Sequence, residues 1–226
     1  MKRFVLMWTL AGLFLAGVAV AQDKCEGKCP ATQTTSLAGD DDRQTTGQCP
    51  IEAAMEKLPA IAYKVGGEAA CCKNSAAALA KKSGKPIEYT VGDKSYSDEH
   101  EAFTALVETT EKFVANFTTP CKCEVSGKTT VAGESCDCPI KAEEMAQAVK
   151  KATDAVAMTY TVGKDACDCP VQAKEMATKS GEKIVYTVNG ESCECEMTAR
   201  LNLARAKYRA AVEALTQMEQ PAAKIN

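Results

Sequence analysis

Four short phrases of the chain alternate apolar and polar side chains: IAYKV around Tyr63, IEYTV around Tyr89, MTYTV around Tyr160 and IVYTV around Tyr186. A period of two puts each tyrosine and its flanking aliphatic residues on one face of a half-buried strand. Each phrase runs into turn residues, Gly66-Gly67, Gly92-Asp93, Gly163-Lys164 or Asn189-Gly190, and so predicts a tight hairpin. Tyr63 and Tyr89 are 26 residues apart, and so are Tyr160 and Tyr186. The 71 residues from Tyr89 to Tyr160 have room for a longer helix and one degenerate unit, CEVSGKTTVAGESCDCP.

After each hairpin the apolar period shifts towards 3.6. Pro139 sits where a first helical turn begins, and apolar positions continue to Val149. Cys169-Pro170 opens a shorter helix through Met176 that should end near Ser180-Gly181. Asp98 and Glu101 form a capping box for a helix with Phe103, Leu106, Val107, Phe113, Val114 and Phe117 on one stripe. The last helix carries Leu201, Ala204, Tyr208, Val212, Leu215 and Met218 in the same way. The unit is thus a two-stranded hairpin followed by a helix, and the fold class is α+β, with about five repeated ββα modules between residues 60 and 219. A lone hairpin cannot supply a core, so each helix must cover its own sheet or a neighbouring unit. The units are free to stack, to pair, or to merge their strands into one sheet.

The ends read differently. Lys2-Arg3, an apolar run from Phe4 to Val20 and the small-x-small site Ala19-Val20-Ala21 make residues 1–21 a secretory signal peptide. The protein is therefore expected to be secreted or periplasmic, with no stable membrane insertion after cleavage. Residues 22–48 form a polar leader with two cysteines and almost nothing to pack. Residues 49–119 hold the first pair of modules, 120–219 three modules containing Cys-x-Cys, and 220–226 a tail. With 27 basic against 30 acidic residues the formal charge is −3, which offers no footprint for a nucleic acid.

Aromatics are only 5% of the chain, whereas cysteines number 13, which moves attention from core to cross-link or ligand. Four pairs have one intervening residue: Cys121/Cys123, Cys136/Cys138, Cys167/Cys169 and Cys193/Cys195. A fifth pair, Cys71/Cys72, is adjacent, and Cys25, Cys29 and Cys49 complete the set. Cys167/Cys169 and Cys193/Cys195 fall seven and nine residues after their tyrosines, at the passage from hairpin to helix; in the second module Tyr96 and Asp98 stand there instead. On a strand, residues two apart share a face, so both sulfurs of a pair can turn to one ligand. Cys49, Cys138 and Cys169 precede proline at expected N-cap positions, where the helix dipole favours a thiolate.

Two chemistries fit these cysteines. Soft thiolates suit Cu(I) in a low-coordinate site, or Zn(II) where two pairs converge. In an oxidising compartment the same residues suit disulfides that staple a structural or protein-interaction module. The ligand-bearing candidates are the ten paired cysteines, and the partners implied are a soft metal ion or another protein. A thiol-disulfide oxidoreductase is the third reading, weakened by the lack of Cys-x-x-Cys. Phosphate loops, a nucleophile elbow and paired carboxylates are absent, and His100 is the lone histidine, so no catalytic constellation emerges. Met55, Met145 and Met176 follow their Cys-Pro segments at helical spacing that suits core packing as well as copper ligation. Asp40-Asp41-Asp42 reads as a solvated patch.

Gly92-Asp93-Lys94-Ser95-Tyr96, followed by Asp98-Glu99-His100-Glu101-Ala102-Phe103 and Phe113-Val114-Ala115-Asn116-Phe117, resembles the hairpin-helix end of the YHS and TRASH-like cysteine modules associated with metal handling. The resemblance covers about 30 residues and implies a ββα fold with metal-binding cysteines. Such modules place one cysteine just after the second strand and another early in the helix. Here those places hold Asp98 and Ala102, while Cys169 and Cys195 keep a position like the first.

Overall fold

The computed structural model describes residues 49–219, so the expected signal segment, the leader with Cys25, Cys29 and Asp40–Asp42, and the tail lie outside the described residues. A short helix α1 (Pro50–Met55) precedes β1 (Ile61–Val65), β2 (Glu68–Ala70) and α2 (Lys73–Ser83). The same pattern recurs as β3 (Ile87–Val91), β4 (Lys94–Tyr96) and α3 (Glu99–Thr118). A short strand β5 (Cys121–Lys122) then leads into β6 (Thr129–Val131), β7 (Glu134–Cys136) and α4 (Pro139–Asp154). Two further units follow: β8 (Met158–Val162), β9 (Asp165–Cys167) and α5 (Pro170–Ser180), then β10 (Ile184–Val188), β11 (Glu191–Cys193) and α6 (Glu196–Glu219). The chain is α+β, built from repeated ββα units as the alternating phrases predict.

The turns follow their chemistry. Both central residues have positive φ at Gly66-Gly67 and at Asn189-Gly190 (49° and 84°), the type I′ requirement. The degenerate third hairpin does the same with Ala132 at 47° and Gly133 at 86°, a conformation that costs a residue with a Cβ about 1–2 kcal/mol. Ala132 is buried and packs in the third module's core, so burial holds it there.

The tyrosine spacing becomes sheet register. Modules one and two merge into a four-stranded sheet of order β2-β1-β3-β4, and modules four and five into one of order β11-β10-β8-β9. In each the two long strands pair antiparallel at the centre, with Tyr63 opposite Tyr89 and Tyr160 opposite Tyr186. The outer strands extend these rows to Ala70 and Tyr96 in one sheet, and to Cys167 and Cys193 in the other. Module three stays unpaired and recruits β5 into a three-stranded sheet, β5-β6-β7. That strand follows no alternating phrase, and its two residues are both exposed.

Helices cover one face of each sheet. The Asp98 carboxylate accepts the Glu101 N–H at 2.9 Å, so the capping box forms. Gly84 and Gly181 close α2 and α5 in the left-handed conformation, each donating its N–H back to an alanine carbonyl at 2.9 Å. From the stripe of α3, Leu106, Val107 and Val114 are buried; from that of α6, Leu201, Ala204, Tyr208 and Leu215 are. Met218 departs from its stripe and is 42% exposed. Helix α6 packs on α1, α3 and α4 as well as on its own sheet, so it ties the first modules to the last. Tyr208 is its anchor: 1% exposed, ring centroid 4.6 Å from that of Phe117, hydroxyl donating to the Ala54 carbonyl at 3.1 Å.

Candidate metal centre

Every module turns from hairpin to helix through the same backbone step. The residue before each helix, Cys72, Asp98, Cys138, Cys169 or Cys195, accepts at its carbonyl the N–H of an alanine four residues on, at 2.9–3.1 Å. Those alanines, Ala76, Ala102, Ala142, Ala173 and Ala199, are at most 4% exposed, so a methyl group is all that fits between helix and sheet. This recurrence, a cysteine or aspartate followed four residues later by alanine, is a repeat signal in the sequence beyond the tyrosines and cysteine pairs.

Three Cys-x-Cys pairs share one geometry at this step. Cys136, Cys167 and Cys193 end the second strand half-buried on the helix-covered face, packed beside the module's core. Their thiols donate to the carbonyls of Cys138, Cys169 and Cys195 at 3.4, 3.6 and 3.6 Å. Cys138, Cys169 and Cys195 are exposed. Asp137 and Glu194, between the sulfurs, bond away from them, to Lys128 at 3.2 Å and Lys183 at 2.7 Å.

Cys71/Cys72 is arranged differently. Ala70 takes the strand position that Cys167 holds in module four, and the first sulfur moves one residue on, so the thiols lie side by side with Sγ–Sγ 3.9 Å. Cys72 caps α2, its sulfur accepting the Ser75 N–H at 3.5 Å.

The Cys-Pro caps form at the expected places. Cys49, Cys138 and Cys169 do occupy N-cap positions, but their side chains make no cap hydrogen bond. Three thiols are held below their usual range. Cys72 is lowered first by the Ser75 N–H and then by Cys71. Cys195 is lowered by the side chain and then the N–H of Thr198, and Cys123 by the side chain and then the N–H of Ser126. Each of these donors, Ser75, Thr198 and Ser126, stands three residues after its cysteine.

Register keeps the pairs apart. Cys167 and Cys193 lie on the two outer strands of one sheet, so about 14 Å separates their backbones at the usual strand spacing. A disulfide requires Cα atoms roughly 4.4–6.8 Å apart. Cys121 pairs with Thr130, and Thr129 with Cys136, which places Cys121 on the sheet face opposite to Cys136. Among the described residues no group of three or more His, Cys, Asp or Glu side chains gathers closely enough to hold an ion. Two pairs therefore do not converge into one four-sulfur site there.

The remaining candidates fall into place around the core. The paired tyrosines stack edge to face, with centroids 5.9 Å apart for Tyr63/Tyr89 and 5.7 Å for Tyr160/Tyr186. Burial raises the phenol pKa of Tyr160 and of Tyr186. Met55 packs beside Tyr208, Met145 beside Val149, and Met176 beside Cys167. His100 is exposed in the first turn of α3. No helix of the described residues is long and apolar enough to cross a membrane. No family model, curated protein or solved structure matches the chain.

Proposed function

We propose that the chain is an exported cysteine-rich scaffold that binds a soft metal ion through paired thiolates. The observation that carries this reading is the Cys71/Cys72 pair, whose sulfurs stand 3.9 Å apart. Two thiolates with metal–sulfur bonds of about 2.3 Å are about 3.8 Å apart on a tetrahedral ion and about 4.0 Å apart on a three-coordinate one, so this pair needs little rearrangement to chelate either. The Cys136/Cys138, Cys167/Cys169 and Cys193/Cys195 pairs each combine a half-buried first thiol with an exposed second one that is free to turn towards the same ion. Cys121/Cys123 adds an exposed pair with one thiol, Cys123, already lowered. Pairs that stand alone favour a low-coordinate ion, Cu(I), over four-coordinate Zn(II). The resemblance of residues 92–117 to metal-handling modules points the same way.

The competing reading, a disulfide-stapled structural module, needs partners that the separation of Cys167 from Cys193 does not supply within their sheet. Titration of the reduced mature protein with Cu(I), in competition with a chromophoric chelator, tests the proposal. Stoichiometric uptake is expected, with loss of one equivalent when Cys71 and Cys72 are both replaced by serine. No uptake by the folded, reduced protein would overturn it.

A further inference from the structure

At module three, three sulfur side chains from three elements line a single cavity of about 270 Å³: Cys136 from β7, Met145 from α4 and Met218 from α6. Two of these positions are built by a repeated phrase. CDCPIKAEEM at Cys136 and CDCPVQAKEM at Cys167 differ at only three positions, and each sets a methionine nine residues after the first cysteine. In both modules the alanine of that phrase lies flat against the sheet, and the methionine, one helical turn on, packs in the same core as the cysteine. In module three a third sulfur side chain lines the same cavity. Met218 arrives at the end of α6 and stays 42% exposed, an apolar side chain held at a cavity mouth rather than sunk in a core.

We infer that Cys136, Met145 and Met218 form a mixed thiolate-thioether site for a monovalent soft ion, Cu(I) or Ag(I). The inference rests on the soft-metal reading and changes the donor set at this module, since Cys138 is exposed and does not line the cavity. Binding replaces the Cys136 S–H by an S–metal bond and releases its proton to solvent; the thioethers add as neutral donors, and no electron is transferred. One thiolate and a +1 ion make a neutral unit, so binding beside Met145 and Leu215 adds no net charge to the apolar part of the lining. Zn(II) would leave a positive charge there and gains little from thioethers. Glu134, Lys141 and Glu144, also on the lining, are exposed, so they serve as a rim of mixed charge.

The test is Cu(I) titration of the full mature protein under anaerobic reduction, with circular dichroism confirming the fold of each variant. Met145→Leu combined with Met218→Leu conserves volume, and Met218→Leu alone alters a partly exposed residue, so folding is retained. Either methionine variant should weaken one Cu(I) equivalent at least about tenfold, equivalent to 1.4 kcal/mol. Cys136→Ser should remove that equivalent, while Cys138→Ser and Met176→Leu leave it in place. If Cys138→Ser removes it and the methionine variants leave it unchanged, the ion sits on the Cys-x-Cys pair and this inference fails while the proposed function stands. If the wild-type protein takes up no Cu(I), both fail.

Discussion

Tyr160 and Tyr186 face each other across the central strands of their sheet, rings edge to face at 5.7 Å, and an equal spacing in sequence reproduces the contact at Tyr63 and Tyr89. Each pair sits where two modules meet, so the tyrosines join modules rather than fill one of them. Tyr160 and Tyr186 are both buried. Tyr186→Ala should cost about 3–5 kcal/mol in urea-unfolding experiments, whereas Tyr186→Phe should stay within about 1 kcal/mol.

The buried alanines set the distance between helix and sheet. Ala173 is fully buried against the strands that carry Cys167. Ala173→Leu should destabilise by about 1–3 kcal/mol through overpacking and shift the start of α5, which holds Cys169. Thermal unfolding with and without Cu(I) measures both effects, and an unchanged midpoint would show that the helix can lift away freely.

Much of this architecture is written in local pattern. The phrases around the four tyrosines, the turn glycines and the Asp98-Glu101 box each carry a signal within a few residues, and hairpins, helix starts and repeat number follow from them. Pairing of modules is not local. Tyr63 and Tyr89 meet because the strands between two hairpins are long enough to pair, while Thr129 holds the tyrosine position in module three and leaves it unpaired. The cysteine pairs were visible, but their separation depends on strand order, and the Cys136/Met145/Met218 cavity depends on where α6 returns. The lowering of Cys72, Cys123 and Cys195 comes from serine and threonine groups three residues on, which the spacing of the cysteine pairs does not reveal.

Cys195 should be the more reactive thiol of its pair. The Thr198 side chain and N–H favour its thiolate, so its folded-state pKa is lowered. That contribution to stability is present above the unfolded thiol pKa and is lost as pH falls through the folded value. Thr198→Ala should raise the Cys195 pKa and slow its alkylation at neutral pH, read by mass spectrometry of labelled peptides. An unchanged rate would mean that Thr198 does not support the thiolate.

Tyr208 fastens α1 to α6 through one hydrogen bond to Ala54. Tyr208→Phe should cost about 1 kcal/mol and leave the helix core intact, since the ring contacts with Phe113 and Phe117 remain. Faster hydrogen exchange confined to residues 50–55 would locate the loss; exchange spread through α6 would contradict it.

The most direct measurement is a thiol count joined to elemental analysis on the protein isolated from its native compartment. On denaturation in chelator without reductant, the paired cysteines should titrate as free thiols, and the undenatured protein should carry a stoichiometric soft metal ion, copper foremost. Paired cysteines that remain blocked until a reductant is added, in protein carrying no such ion, would contradict the metal-binding scaffold.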